Sequence, residues 1–123
     1  MSEMTSNVLK GGSFLLSTAS PDQVFTPEDL SEEQRMIGST ARDFSEKVFA
    51  RLAEIEQDKP FHSRPLLREL GELGLLGLEI PEEYGGMGLD KVTATVATEE
   101  YSRAGSFAIT IGAHTGIGSL PIV

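Results

Sequence analysis

The run Leu73 to Asp90, LGLLGLEIPEEYGGMGLD, constrains this chain more than any other stretch. It compresses a helix end, a bend and a helix start into one segment. Gly74 and Gly77 fall where a leucine-rich helical pattern stops and a residue free to take positive φ is needed. Pro81 lacks a backbone donor and suits the start of a new turn. Glu82 and Glu83 then lie at that turn's positive end, which favours carboxylates. Gly85-Gly86 stops the turn, and Asp90 reads as the N-cap of the next helix. Each piece alone is ordinary helix punctuation. Together they predict helices joined by a sharply bent connector, and hence an all-α fold.

Periodicity outside that run agrees. Ser31 is placed as an N-cap, with Gln34 at capping-box spacing and Leu30 ahead of it. Ile37, Ala41, Phe44, Val48, Leu52 and Ile55 follow at steps of three and four, one helical face. Asp43 and Lys47 form an i,i+4 pair on the other face. The helix is expected to end near Asp58, because Pro60 disfavours helical backbone at Lys59. A second helix is expected from about Ser63, with Pro65 in its first turn, Leu66, Leu67, Leu70 and Leu73 buried, and a glycine, Gly71, in its interior. A third runs from Asp90 to about Ala104 with Val92, Val96 and Ala97 inward, ending at Gly105. A fourth is expected from Ser106 to about Thr115, although Phe107, Ile109 and Ile111 also alternate as a strand would. The expected architecture is an antiparallel helical bundle centred on Ile37, Phe44, Val48, Leu70, Leu73, Val92 and Val96. Residues 1–26, rich in Ser and Thr and without period, read as a flexible leader in which Gly11 to Leu16 could dock on a surface; residues 27–123 read as the helical domain.

Composition removes several function classes. The chain has 123 residues, no Cys, no Trp and a net charge of −9. No disulfide or thiolate metal site can form, which fits a reducing compartment. The acidic balance argues against nucleic acid and anionic membrane surfaces, and makes this chain alone a poor seat for a polyanion. No segment reads as transmembrane: Phe107 to Val123 is the most apolar, but His114, several glycines and Pro121 interrupt it. The start, MSEMTSNVLK, shows no secretory signal and too little Arg for a transit peptide. The chain closes on GIGSLPIV, apolar where a domain end is usually polar, so it reads as a piece of something larger.

Candidate chemistry is sparse. Glu99-Glu100 is an adjacent acid pair inside a helix, where neighbouring side chains diverge by about 100° and cannot converge on one atom. With Arg103 one turn on, a solvated or inter-helix ion pair is the better reading. His62 and His114 lie far apart with no third ligand, so no metal site is expected. His114 reads as a packed or hydrogen-bonded histidine. Gly112, Gly116 and Gly118 fit neither a dinucleotide nor a P-loop spacing. Small residues on that segment leave room beside it instead, for a neighbouring helix or for a ligand's alkyl tail.

Three strings resemble the opening of an acyl-CoA dehydrogenase: Phe25 to Arg35 (FTPEDLSEEQR), Leu70 to Gly77 (LGELGLLG) and Ile80 to Gly88 (IPEEYGGMG). Gly112 to Gly118 (GAHTGIG) and Lys10 to Leu15 (KGGSFL) are similar to the very-long-chain branch and its bacterial relatives. The resemblance implies an amino-terminal helical domain followed, in the whole enzyme, by a middle β domain and a carboxy-terminal helical domain. It implies FAD held mainly by those later domains and by neighbouring subunits, a fatty acyl-CoA substrate, a homo-oligomer when full length and dehydrogenation in fatty-acid β-oxidation. The carboxylate base belongs to the carboxy-terminal domain, so no catalytic residue is expected here. Gly105 to Gly118 matches the helix beside the acyl cavity, which makes Gly112, Ala113 and Gly116 the candidate substrate-contact positions. A bacterial cytoplasm is implied, or the mitochondrial matrix for a processed eukaryotic protein. A related flavoenzyme such as an acyl-CoA oxidase, and a non-catalytic acidic helical interaction module, are the competing readings.

Overall fold

A computed structural model describes residues 8–57 and 59–123, apart from Lys10. Residues 1–7 of the leader, Lys10 and the expected helix end at Asp58 lie outside the described residues. The chain divides into two compact units, residues 1–31 and 32–123.

In the first unit, single 3₁₀ turns form at Ser13–Leu15, Pro21–Gln23 and Pro27–Asp29. The latter two share one construction. A proline with preset φ opens each turn, and the residue before it is held by a side chain three positions on. The Ser20 N–H donates to Gln23 Oε1 at 3.1 Å, and the Thr26 N–H donates to Asp29 Oδ2 at 2.8 Å. The Leu9 N–H donates to the Gln23 carbonyl at 2.8 Å. Leu15 and Leu16 are exposed.

The second unit is helical, with no strand among the described residues: α1 (Glu32–Ala50), α2 (Leu52–Gln57), α3 (Lys59–Glu72), α4 (Lys91–Tyr101) and α5 (Phe107–Gly112). The expected all-α class is what the chain adopts. Its core joins Ile37, Ala41, Phe44 and Val48 of α1 to Ile55, Leu66 and Leu70, to Leu75 and Leu78 of the connector, and to Ala97, Tyr101, Phe107 and Ile111. The Phe44 and Phe107 rings meet at 6.3 Å between centroids.

Helix α4 packs along α1 at close range because Gly38 has no side chain; a Cβ there would lie 2.8 Å from Val96 Cγ1. Three contacts fix the direction of this seam. Gln34 reaches Asp90, Gly38 faces Val96, and Arg42 binds Glu100. The numbers rise together, so α1 and α4 run parallel rather than antiparallel as expected. The two helices are not sequence neighbours: α2, α3 and the connector lie between them and return the chain to the starting end.

Other expectations need correction. Helix one does not run unbroken: Arg51 interrupts it, its N–H donating to Val48 three residues back at 3.0 Å. Helix two begins at Lys59, not near Ser63. Pro60 is tolerated there because a first helical turn needs no amide donor, while Pro65 becomes an internal proline that removes one backbone bond. Leu73 is 45% exposed, since α3 has already ended and Gly74 (φ +77°) turns the chain. Val92 and Val96 are only half-buried; Thr93, Ala97, Glu100 and Tyr101 form the buried face of α4. Ile109 is exposed between buried Phe107 and Ile111, which is helical spacing and not a strand. That last helix also continues past Thr115, through a π-helical stretch (Ala113–Ser119) and a 3₁₀ turn (Leu120–Ile122).

The connector keeps part of its expected punctuation: Gly74 takes positive φ, whereas Gly77, expected to do the same, does not. Gly85 ends the turn Glu82–Tyr84 at φ +83°. The strip after Gly77 folds against the strip before Asp90: Met87 N–H donates to Gly77, Gly88 N–H to Ile80 and Leu89 N–H to Leu78, at 2.7–2.9 Å. Asp90 caps α4, its Oδ1 accepting from the Thr93 N–H at 2.8 Å. The third α-helix, expected to reach Ala104, ends at Tyr101; a 3₁₀ turn (Ser102–Ala104) carries the chain on to the stop at Gly105, at φ +59°.

Candidate functional site: a groove between α4 and α5

Beside α5 runs a groove of about 260 Å³, open to solvent. One wall is Thr98 and Tyr101 of α4 with Ser102 just after it; the opposite wall is Ala108, Ile109, Gly112 and Thr115. A smaller cavity of about 30 Å³ adjoins it, closed mainly by Leu76, Leu78, Ile80, Ala94 and Leu120. Glu79 also lines that cavity, and its carboxylate pairs with Lys91.

The sequence builds the groove by omission. A Cβ placed on Gly112 would meet nothing within 4 Å, and the same holds for Gly116. Neither glycine therefore admits a neighbouring helix of the described chain; both leave open space. Of the three positions singled out from sequence, Gly112 lines the groove, while exposed Ala113 and half-buried Gly116 lie just beyond its lining.

The groove's hydroxyls are occupied. Thr98 Oγ1 donates to the Ala94 carbonyl at 2.7 Å, Thr115 Oγ1 to Ile111 at 3.0 Å and Ser102 Oγ to Glu99 at 2.7 Å. Buried Tyr101 donates to the Leu75 carbonyl at 3.3 Å, and burial pushes its phenol well above the usual range. It stays protonated and cannot serve as a base at neutral pH. The groove thus offers an apolar wall with no titrating group at its surface.

The acid pair resolves into two fates. Glu99 is exposed. Glu100 is nearly buried and accepts from Arg42 (Nε at 3.0 Å, Nη2 at 2.5 Å) and from Arg103 Nε at 3.0 Å. The hydrogen bond from Arg42 is the main reason its carboxyl is held below the usual range, against the opposing effect of burial. It is the inter-helix ion pair expected from sequence and faces away from any acid–base role. His114 is exposed rather than packed.

Sequence reasoning missed Thr98, Tyr101 and Thr115. A signal was present: Ala94, Thr98 and Tyr101 step by four and three, a second helical stripe beside the buried one. Its mixed hydroxyl and methyl character concealed it.

The family model for the N-terminal domain of acyl-CoA dehydrogenase matches residues 31–123. The chain belongs to the acyl-CoA dehydrogenase family. It is 50% identical to a probable acyl-CoA dehydrogenase of Bacillus subtilis (strain 168), across all of this chain and 21% of that protein. It is 38% identical to the mitochondrial short-chain specific acyl-CoA dehydrogenase of Mus musculus, over 66% of this chain and 20% of the relative. A crystal structure of an acyl-CoA dehydrogenase complexed with FAD from Bacillus anthracis superposes with a TM-score of 0.83 at 58% identity, covering 92% of this chain and 20% of that one. The chain spans about a fifth of the length of the relatives it matches. Among the described residues, no helix is long and apolar enough to cross a membrane.

Proposed function

We propose that this chain is the amino-terminal helical domain of an FAD-dependent acyl-CoA dehydrogenase. The enzyme introduces the α,β double bond of fatty acyl-CoA thioesters in fatty-acid β-oxidation. In this reading α5 and the π-helical stretch form part of the acyl-chain cavity wall through Gly112, Ala113 and Gly116. The observation that carries it is the open space over Gly112 and Gly116, beside a groove whose hydroxyls are already bonded to backbone. Such a surface suits hydrocarbon, its hydroxyl donors being already spent on backbone carbonyls.

The described residues do not build a flavin site by themselves. Their positive-φ glycines stand singly at turns, and the net charge of −9 opposes a pyrophosphate. FAD, which accepts the hydride from the β-carbon when bound, would be held by the middle β and carboxy-terminal helical domains of the whole enzyme. The base would stand in the latter. Those domains, a fatty acyl-CoA and further copies of the enzyme are the partners of this reading. The compartment is the bacterial cytoplasm, or the mitochondrial matrix for a processed eukaryotic form.

The test is kcat/KM against a series of acyl-CoA lengths in the full-length enzyme, wild type and Gly112→Leu. Each methylene excluded from contact is worth about 0.8 kcal/mol, so blocking several lowers long-chain use more than tenfold relative to short chains. An equal loss at every length rejects the wall assignment.

A further inference from the structure

We infer that Tyr101, with Thr98 and Thr115, is the stop that limits how far an acyl tail penetrates this domain. The inference rests on the acyl-wall reading and goes beyond it by naming what sets the depth. The open groove and the smaller inner cavity share three lining residues, Thr98, Tyr101 and Thr115. Side chains that line both spaces stand at the boundary between them. Tyr101 is the fixed member: it is 5% exposed, and its hydroxyl is tied to the Leu75 carbonyl of the connector. The ring cannot swing aside without breaking that bond inside the core. The two threonines complete the boundary from opposite helices, each locked by its hydroxyl to a carbonyl one turn back.

The space behind this boundary is flanked by Leu76, Leu78, Ile80 and Leu120, with polar atoms sharing its lining. The one carboxylate there, on Glu79, is paired with Lys91. Its roughly 30 Å³ suits one or two methylenes and no polar head group. A tail lying in the groove therefore ends against Thr98, Tyr101 and Thr115, with unused room, partly walled by leucine and isoleucine side chains, just beyond. Trimming a threonine joins the two spaces. Enlarging one seals the groove earlier.

The experiment uses the full-length holoenzyme and measures kcat/KM for saturated acyl-CoA thioesters of stepwise increasing length. Thr98→Ala and Thr115→Ala are expected to move the optimum one or two carbons longer, each newly buried methylene raising kcat/KM about fourfold. Thr98→Leu is expected to move it shorter. Thr95→Ala removes the same hydroxyl-to-carbonyl bond from the exposed face of α4 and is expected to leave the profile unchanged. If wild type turns over acyl-CoA but both alanine variants keep its optimum, or lose activity equally at all lengths, the stop is overturned and the acyl-wall reading survives. If the enzyme reduces its flavin with no acyl-CoA of any length, both fall.

Discussion

Gly86 lies so close to Ile80 that a Cβ on the glycine would sit 2.0 Å from the Ile80 carbonyl oxygen and 2.4 Å from its Cβ. Backbone, not a movable side-chain tip, occupies the space. Gly86→Ala must therefore displace the connector itself, at an expected cost of about 1–3 kcal/mol, the range for overpacking a closed site. Gly85→Ala meets nothing within 4 Å and suffers only its positive φ, expected to cost about 1–2 kcal/mol. Thermal unfolding of the two variants checks the order, Gly86→Ala being the less stable.

Arg42 and Arg103 share one carboxylate unequally. Arg42 gives Glu100 two hydrogen bonds across helices, and Arg103 gives one within its own helix segment. Arg42→Ala is expected to lower the melting temperature more than Arg103→Ala. Equal losses would mean that the seam between α1 and α4 draws nothing from the ion pair.

The acid limb of stability should report Glu100 and Asp90. Hydrogen bonding from Arg42 lowers the first below its ordinary 4.5, and bonding from the Thr93 N–H lowers the second below 3.8. A carboxylate with a depressed folded pKa adds stability that is complete above its unfolded pKa and disappears as pH falls through the folded one. Stability is therefore flat near neutrality and declines below about pH 4.5. Glu100→Gln should start lower and decline less over the same range. Melts taken between neutral pH and the acid limb test this, and a parallel decline in the variant would exclude Glu100 as a source.

The chain as it stands, mixed with FAD and a long-chain acyl-CoA, should not bleach the flavin. The groove presents no titrating base, and the Tyr101 phenol remains protonated. Turnover by this chain alone would overturn the assignment of the base to another domain, and would turn attention to Glu99, Glu100 and His114.

Local features were legible in the sequence. The Asp90 cap, the positive φ at Gly74, the stops at Gly85 and Gly105, and the buried face of α1 each depend on residues within a turn or two of one another. What sequence missed depends on distant partners. Val92 and Val96 look like the inward face of α4 because they are apolar. Glu100 goes inward instead because two guanidiniums meet it there, one of them from α1. Pro60 looks like a helix stop, yet proline also suits a helix start, and only the position of α3 decides between them. The groove was half legible. Gly112 announced itself by lacking a side chain, whereas Tyr101 matters through a carbonyl in another segment, which no local pattern reveals.

The parallel seam between α1 and α4 also bears on the order of assembly. Arg42 and Glu100 are 58 residues apart. Closing so long a loop carries an entropic cost before any contact is made, whereas α2 and α3 are sequence neighbours and can meet early. During synthesis the inner face of α1 stays incompletely covered until α4 has emerged, and Phe44 waits further for Phe107 of α5. The nascent chain thus passes through a window in which half of its core is made and the other half is still to be translated. In that window, the time spent between α1 and α4 sets the exposure to aggregation.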